Sequence, residues 1–195
     1  MAWDVEGTKR KIIESATAEF VAHGEAGTTV ERIAKRAGVN KERIYNYYGG
    51  KPELFAAVMQ EKIAESLLDV REQPRDIDDV GAFEGQLFDY NRQRPELLRL
   101  LMWEALSATD PVVDQDDRVA MYARRTEEIQ RGQQAGTVTD ALSPELMHLM
   151  LLSLTGYAVL LPQVARMIAG DVDTATLRAA TVEAARRLAR PQGAE

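Results

Sequence analysis

The chain has 195 residues, 45% of them apolar, which is enough for a hydrophobic core and argues against a disordered chain. It contains no cysteine, so disulfides, thiolate metal sites and cysteine nucleophiles are excluded, as is common in a reducing cytoplasm. The net charge of −7 is unevenly distributed, since residues 1–60 hold nine Lys/Arg against eight Asp/Glu, whereas residues 61–195 hold 15 Lys/Arg against 23 Asp/Glu. Such an asymmetry indicates nucleic-acid contact by the N-terminal part.

Apolar residues recur along the whole chain with the 3.6-residue period of an α-helix, and no segment shows the alternation of a half-buried strand. We therefore predict an all-α fold of about nine helices, separated by glycine and proline signals. The predicted helices span about 9–23, 30–37, 41–47, 52–72, 78–93, 95–107, 112–134, 144–167 and 173–190.

Residues 28–48 form the most informative segment, because two short predicted helices are joined there by a turn at Gly38. Ala34 is small, as a close helix crossing requires, and Ile33 and Ile44 are placed to meet across the turn. This pattern is typical of a helix-turn-helix, whose second helix enters the major groove of DNA. The second helix also carries lysine, arginine, asparagine and tyrosine, which suit base edges and phosphates.

Two segments carry a family resemblance: TKRKIIESATAEFVAHG at residues 8–24 and TTVERIAKRAGVNKERIYNYYGGKPELFAAVM at residues 28–59. They resemble the DNA-binding domain of the TetR family of transcriptional regulators and cover about a quarter of the chain. The sequence departs from the family pattern at Gly50, where a capping serine or asparagine is usual, and this predicts a looser start of the following helix. A second departure is the Asn46-Tyr47 pair, where aromatic or histidine residues are common.

The resemblance implies an N-terminal three-helix DNA-binding domain at residues 1–50, followed by a helical effector-binding and dimerisation domain at 51–195. The helix at 52–72 would connect the two. By resemblance, the polar face of the second motif helix supplies base readers, and the flanking residues contact phosphates of double-stranded DNA. The candidate DNA-binding residues are Thr29, Arg32, Asn40, Lys41, Glu42, Arg43, Tyr45, Asn46, Tyr47 and Lys51.

The remainder of the chain matches no motif as sharply, and the resemblance assigns it to sensing a small-molecule effector. Large, soft or amphipathic side chains are typical of pockets for largely apolar ligands, although at helical spacing they more often form plain core. The candidate effector residues are Phe88, Met102, Trp103, Met121, Tyr122, Met147, Met150 and Tyr157.

Two late helices have apolar faces with small residues that permit close approach, and the resemblance implies that they pair with their copies in a homodimer. A dimer would place two recognition helices about 34–36 Å apart, as a palindromic operator requires. An effector that moves the helix at 52–72 would alter this spacing, so effector and DNA would oppose each other. The resemblance implies that the regulator is a repressor released on effector binding. The candidate dimer residues are Leu149, Leu152, Ser153, Gly156, Leu160, Leu177, Ala180, Ala184 and Leu188.

Membrane insertion, metal binding and catalysis are not predicted. Residues 146–164 lack formal charge, but His148, Gly156 and Pro162 interrupt the segment, which favours a buried interface helix over a membrane span. No metal-ligand spacing, phosphate loop, G-x-S-x-G or H-E-x-x-H motif occurs, so we expect no metal, cofactor or catalytic residue. Two alternatives stay open: an all-helical hydrolase or metal-dependent enzyme using scattered carboxylates, and a helical interaction module that does not bind DNA.

Overall fold

The computed structural model describes residues 4–72 (the side chains of 67–72 excepted), 79–107, 112 and 115–191. Within these ranges the regular structure is entirely helical, as the sequence predicts. The ten described helices are α1 (Val5–His23), α2 (Val30–Ala37), α3 (Lys41–Tyr48), α4 (Lys51–Glu72), α5 (Val80–Gln93), α6 (Glu96–Ser107), α7 (Gln115–Ala135), α8 (Pro144–Leu160), α9 (Pro162–Ala169) and α10 (Thr174–Ala189).

The helix predicted at 144–167 is in fact two helices, so the prediction of one continuous helix was wrong. Leu161, with φ −122° and ψ 58°, leaves the helical region between α8 and α9. Pro162 explains the break, because proline has no N–H for the helix ladder and disfavours helical backbone in the preceding residue. The two helices are bent by 93°, and no single described helix is long and apolar enough to cross a membrane; only this bent pair passes by length and composition.

Several helix starts also differ from the sequence prediction: α7, predicted from residue 112, begins at Gln115, and α1 and α4 begin earlier than predicted. α1 begins at Val5, because the Asp4 carboxylate accepts a hydrogen bond of 2.7 Å from the Gly7 N–H and caps the helix. The first turn of α4 is closed by a bond of 3.1 Å from the Leu54 N–H to the Gly50 carbonyl, despite the missing capping side chain at Gly50. The predicted start of another helix at residue 78 lies outside the described residues.

The chain forms two compact units, one of residues 1–67 and 96–115 and the other of residues 68–95 and 116–195. The first unit therefore contains α1 to α3, most of α4, and α6. In its core the rings of Phe20 and Phe55 meet edge to face, with centroids 5.1 Å apart, and this geometry is favourable for aromatic pairs. The buried core residues of this unit are Ile12, Ile13, Ala16, Phe20, Val30, Ile33, Ala34, Ile44, Leu54, Phe55, Val58, Met59 and Leu100.

In the second unit α5 packs along α10 and against α8. Two ion pairs join α5 and its cap to α10: Asp79 with Arg186 and Asp89 with Arg178, each at 2.7 Å. The Arg186 guanidinium is the first cause of a lowered pKa of Asp79. The buried core residues of this unit are Val80, Ile129, Val138, Met147, Leu151, Ala185 and Ala189.

Replacement of Phe20 by alanine is expected to destabilise the first unit strongly. Its ring is fully buried, and removal of such a ring leaves a cavity that costs about 3–5 kcal/mol in the free energy of unfolding. Urea denaturation followed by circular dichroism measures the loss. The matched control is Tyr45→Ala, an aromatic residue that is 47% exposed in the same unit and should change stability by at most about 0.5 kcal/mol. Equal losses in the two variants would contradict this description of the core.

Candidate nucleic-acid interface

The turn between α2 and α3 is built from short local interactions. Gly38 adopts a left-handed conformation with φ +67° at the end of α2, which glycine reaches without steric cost. The next N–H, that of Val39, donates to the Ala34 carbonyl at 3.0 Å. Asn40 then caps α3, because its side chain accepts from the Glu42 N–H at 3.2 Å. These contacts form the predicted helix-turn-helix.

The second helix of the motif, α3, has one apolar side and one polar side. Ile44 is fully buried and packs in the same core as Ile33 and Ala34 of α2. Four predicted base readers are exposed and lie together on the other side of α3 at the spacing i, i+1, i+4 and i+5. These residues are Lys41, Glu42, Tyr45 and Asn46.

An ion pair joins the two helices of the motif on its exposed surface. The Lys41 ammonium lies 3.1 Å from the Glu31 carboxylate. The pKa of Glu31 is lowered, first by a backbone N–H bond and then by Lys41, and the pKa of Lys41 is raised by Glu31. To bind a base or a phosphate, the Lys41 ammonium must therefore break its ion pair with Glu31 or contact both groups at once.

The buried carboxylate of Glu19 on α1 holds the start of α2 in place. It accepts from the Thr28 hydroxyl at 3.0 Å and from Arg36 Nη1 at 3.4 Å, and it forms an ion pair with Arg32, whose Nη2 atom lies 3.1 Å away. Arg32 Nη2 also lies 2.8 Å from His23 Nε2. Arg32, which the sequence predicts to contact DNA, is thus directed toward α1 in this structure.

Sequence reasoning missed Glu19, although a signal was available. Glu19 lies three positions after Ala16 and seven after Ile12, on the apolar stripe of α1. A carboxylate on a buried stripe requires hydrogen-bond partners, and the nearest candidates are the Thr28 hydroxyl and the arginines of α2.

The remaining predicted DNA residues have further contacts within the first unit. The Lys51 ammonium donates to the Glu25 carbonyl at 2.7 Å and to the Thr28 carbonyl at 3.4 Å, so it fixes the loop before α2. The Lys9 ammonium lies 5.9 Å from the ring centre of Tyr47. Thr29 caps α2 through its hydroxyl, and Arg43 is half-buried. All ten predicted residues lie on α2, α3, their caps or the first residue of α4, and their contact with DNA stays a prediction.

The eight candidate effector residues are divided between the units. Met102 and Trp103 belong to α6 in the first unit, where the Trp103 indole N–H donates to the Val21 carbonyl at 3.2 Å. The Trp103 ring packs on Gly24, where an added Cβ would lie 2.7 Å from it. The other six lie in the second unit; Phe88 and Met147 are fully buried, Met121 is half-buried, and Tyr122, Met150 and Tyr157 are exposed.

A pocket of about 340 Å³ opens on the second unit, and none of the eight candidate effector residues lines it. Two arginines and the ends of several helices surround an apolar wall. Its lining residues are Arg92, Ala158, Pro162, Ala165, Arg166, Ala169, Gly170, Val172, Thr174 and Leu177.

α8 has an exposed apolar face. Four large apolar side chains of this helix are 41–56% exposed: Leu146, Leu149, Met150 and Tyr157. The last three follow Leu146 by three, four and eleven residues, and this spacing places all four on one side of the helix. Of the candidate dimer residues on α8, Leu149 and Ser153 are exposed, Leu152 and Leu160 are half-buried, and Gly156 is buried. On α10, Ala180 is exposed, whereas Leu177, Ala184 and Leu188 are half-buried.

In the described ranges, no cluster of three or more histidine, aspartate or glutamate side chains is placed to hold a metal ion.

Replacement of Glu19 by alanine is expected to lower the free energy of unfolding by about 1–3 kcal/mol, because the Thr28 hydroxyl and two guanidinium groups lose their partner. Thermal or urea unfolding measures this change. Glu14→Ala on the same helix is the matched control, since that side chain is 68% exposed and its contact with Arg10 is 4.0 Å long. A loss no larger than that of the control would show that Glu19 does not hold α2.

Comparison with known proteins places both units in one family. Residues 12–58 match the model of bacterial regulatory proteins of the tetR family, and residues 79–187 match a tetracyclin repressor-like C-terminal domain. The chain is 41% identical over 191 residues to the helix-turn-helix-type transcriptional repressor SCO4008 of Streptomyces coelicolor, covering 96% of this chain and 97% of the relative. It is 24% identical over 189 residues to the regulator RutR of Escherichia coli K12, covering 94% and 89% of the two chains.

Among solved structures, the chain is similar to the putative transcriptional regulator SCO4942 of Streptomyces coelicolor. The TM-score is 0.80 at 28% sequence identity, over 94% of this chain and 99% of the other. The family matches account for both the helix-turn-helix and the helical body behind it, and they exclude the alternative of an enzyme. The chain therefore belongs to the TetR family of bacterial DNA-binding transcriptional regulators.

Proposed function

We propose that this regulator is a repressor that binds a palindromic operator as a homodimer and leaves the DNA when a small-molecule effector binds. The observation that carries the proposal is the exposed polar face of α3, with Lys41, Glu42, Tyr45 and Asn46 side by side and the opposite side fixed in the core. Donors and acceptors on such a face match the pattern of base edges in the major groove. As a DNA-binding protein it would act in the bacterial cytoplasm.

Repression, rather than activation, of transcription is supported by the relative at 41% identity, which is itself named a transcriptional repressor. Repression by occupancy requires only that the operator overlap a promoter. The basic residues of the motif favour such binding, because the balance within residues 28–51 is six Lys/Arg against two Asp/Glu in a chain of net charge −7.

The homodimer is supported by the exposed apolar face of α8. A face of leucine, methionine and tyrosine side chains that are 41–56% exposed is unfavourable in water and is typical of a protein interface. A twofold dimer would present two copies of α3, and their separation of about one turn of DNA would require a palindromic site. The assignment of residues 1–50 to DNA binding and of residues 51–195 to effector binding and dimerisation is part of this proposal.

Release by an effector is supported by the path of the chain. α4 runs without interruption from Lys51 in the first unit into the second unit, which begins at residue 68. A ligand that favours one position of α4 would change the spacing of the two recognition helices. Effector and operator would then oppose each other through one reciprocal coupling free energy.

The direct test of this proposal is a mobility-shift titration of the full chain, using DNA selected from a random pool, at 50 and 200 mM salt. We expect a selected inverted repeat and an affinity that falls by about 10³ or more between the two salt concentrations, because several phosphates are neutralised. Failure to select any sequence would overturn operator recognition.

Replacement of Asn46 by alanine is expected to weaken binding to the selected operator by about tenfold or more and to relax base choice, because an asparagine amide pairs with adenine in a bidentate manner. Competition between the operator and single-base variants measures both effects. Gln60→Ala is the matched control, since Gln60 is an exposed amide side chain on α4 of the same unit. If Asn46→Ala bound like the control, α3 would not be the reading element.

Replacement of Leu149 by aspartate is expected to convert the dimer to a monomer and to weaken operator binding, since a charge would be buried in the proposed interface. Sedimentation equilibrium at micromolar protein measures the mass. Val119→Asp serves as the control, because Val119 is also an exposed apolar residue, at 59%, but lies on α7. A dimer that survives Leu149→Asp would place the interface elsewhere.

A further inference from the structure

α9 turns a side of small residues toward the pocket of the second unit. It begins at Pro162 after the 93° bend at the end of α8, and it packs against α8. Pro162, Ala165 and Ala169 are spaced by three and four residues, so they lie on one side of α9, and all three line the pocket of about 340 Å³. Because these side chains are small, they leave open space between α9 and the lining residues of α5 and α10.

α9 has little packing of its own. None of its eight described residues is buried, and its N-cap residue, Leu161, provides no side-chain cap. A helix this short is marginal in water by itself, and in a folded protein its stability comes mainly from the burial of one side. A molecule in the pocket would supply that burial, because it would lie against Ala165 and Ala169.

Two arginines on different helices line the same pocket. Arg92 is in the last turn of α5, and Arg166 is in the last turn of α9. Within the part of the chain that the structure describes, neither guanidinium has a hydrogen bond or an ion pair. A positive charge in the last turn of a helix is favourable by itself, since it opposes the negative end of the helix dipole. The dipole accounts for each arginine separately, but not for their meeting at one pocket.

The carboxylates near this pocket in sequence do not line it. Asp89 pairs with Arg178 at 2.7 Å, and Asp173 caps α10 by accepting from the Thr176 N–H at 2.8 Å. Asp171 is exposed and lies outside the lining. The charged side chains among the described lining residues are therefore the two arginines alone, although the whole chain has a net charge of −7.

We propose that this pocket binds an organic anion: a carboxylate carried on an apolar body. The carboxylate would accept hydrogen bonds from Arg92 and Arg166, because a guanidinium presents its N–H groups in the geometry that a carboxylate requires. The apolar body would lie on the alanines of α9 and on Leu177 of α10. A volume of about 340 Å³ is sufficient for a small ligand of this kind. The site goes beyond the proposed effector response, since none of the eight candidate effector residues lines it.

Three other occupants predict different results. A cationic ligand would be repelled by two guanidinium groups, and a neutral apolar ligand would gain nothing from them. The third is a second copy of the chain, because Leu177 is also a candidate dimer residue. A partner that covered the pocket would exclude a small ligand from the full chain.

The test compares three probes of similar shape and different charge: 2-naphthoate, 2-naphthamide and 2-naphthylmethylamine. Isothermal titration calorimetry with the full chain at pH 7 and 50 mM salt measures their affinities. We expect the naphthoate to bind about fivefold or more tightly than either of the others, because only its charge complements the arginines. Its advantage over the naphthamide should shrink at 500 mM salt, since the arginines are exposed and their charge is screened.

Arginine variants test the charged contacts. Arg92→Gln and Arg166→Gln should each weaken naphthoate binding by about fivefold or more and leave naphthamide binding unchanged. Arg131→Gln is the matched control, since Arg131 is an exposed arginine on α7 that does not line the pocket. All three side chains are exposed, so the melting temperatures should stay close to that of the unmodified chain.

Filling the pocket tests its position. Ala169→Leu should abolish binding of the naphthoate, because the larger side chain occupies the space of the apolar body. Ala123→Leu, at an exposed alanine of α7, should leave binding unchanged. Hydrogen exchange of the unmodified chain provides a second measurement: at about ten times the Kd of the naphthoate, amides of residues 162–169 should exchange up to about tenfold more slowly.

Several results would overturn the proposal. They are no detectable binding of the naphthoate at millimolar concentration, equal or tighter binding of the naphthamide or the amine, and naphthoate binding that Arg92→Gln, Arg166→Gln and Ala169→Leu leave unchanged. Unaltered exchange of α9 would also overturn it. Operator binding is a separate outcome: if the naphthoate binds as expected and operator affinity stays the same, the anion site stands and is not the effector site.

Discussion

The packing of α1 against α2 and α4 depends on two adjacent residues, Phe20 and Glu19, which face the interior in different ways. The Phe20 ring is in the core against Phe55, and the Glu19 carboxylate gathers the Thr28 hydroxyl and two arginines of α2. The apolar contact supplies most of the stability, whereas the carboxylate supplies direction, because hydrogen bonds have preferred angles and apolar contacts do not. Since α3 follows α2 after a three-residue turn, the orientation of α3 depends on both contacts.

The basic residues of the motif are held by internal partners before any DNA is present. Arg32 lies between Glu19 and His23, Lys41 pairs with Glu31, and Lys51 binds two backbone carbonyls. Side chains fixed in this way lose less conformational entropy on binding, but they must give up or share the internal contact when a phosphate approaches. Under the proposed function, the strength of those internal contacts would therefore contribute to the free energy of operator binding.

The sequence was sufficient for the motif because its signals are local. Gly38 and Asn40 determine the turn and cap through contacts within five residues along the chain, and the buried pattern of Ile33 and Ile44 follows from helical spacing. Contacts between distant segments were not predictable in this way. The indole of Trp103 bonds to Val21, 82 positions away, so a residue nominated for the effector lies beside α1 in the first unit.

Buried charge and helix breaks were the other features that periodicity did not reveal. Glu19 and Glu84 occupy interior positions that a count of apolar residues treats as ordinary surface carboxylates. Pro162 was treated as an interruption within one helix, although the 93° bend separates α8 from α9. In each case the deciding quantity is the burial or the hydrogen bonding of a single group, and it depends on other segments or on the backbone of the preceding turn.

The absence of cysteine from the chain permits a direct test of the proposal that α3 reads the major groove in a twofold complex. A single cysteine introduced by Asn46→Cys would carry an iron chelate that cleaves nearby DNA, with Met167→Cys, 77% exposed on α9, as the distant control. We expect two symmetric cleavage clusters about one helical turn apart from the label on α3 and none from the label on α9. Cleavage from α9 alone, or a single asymmetric cluster from α3, would contradict it.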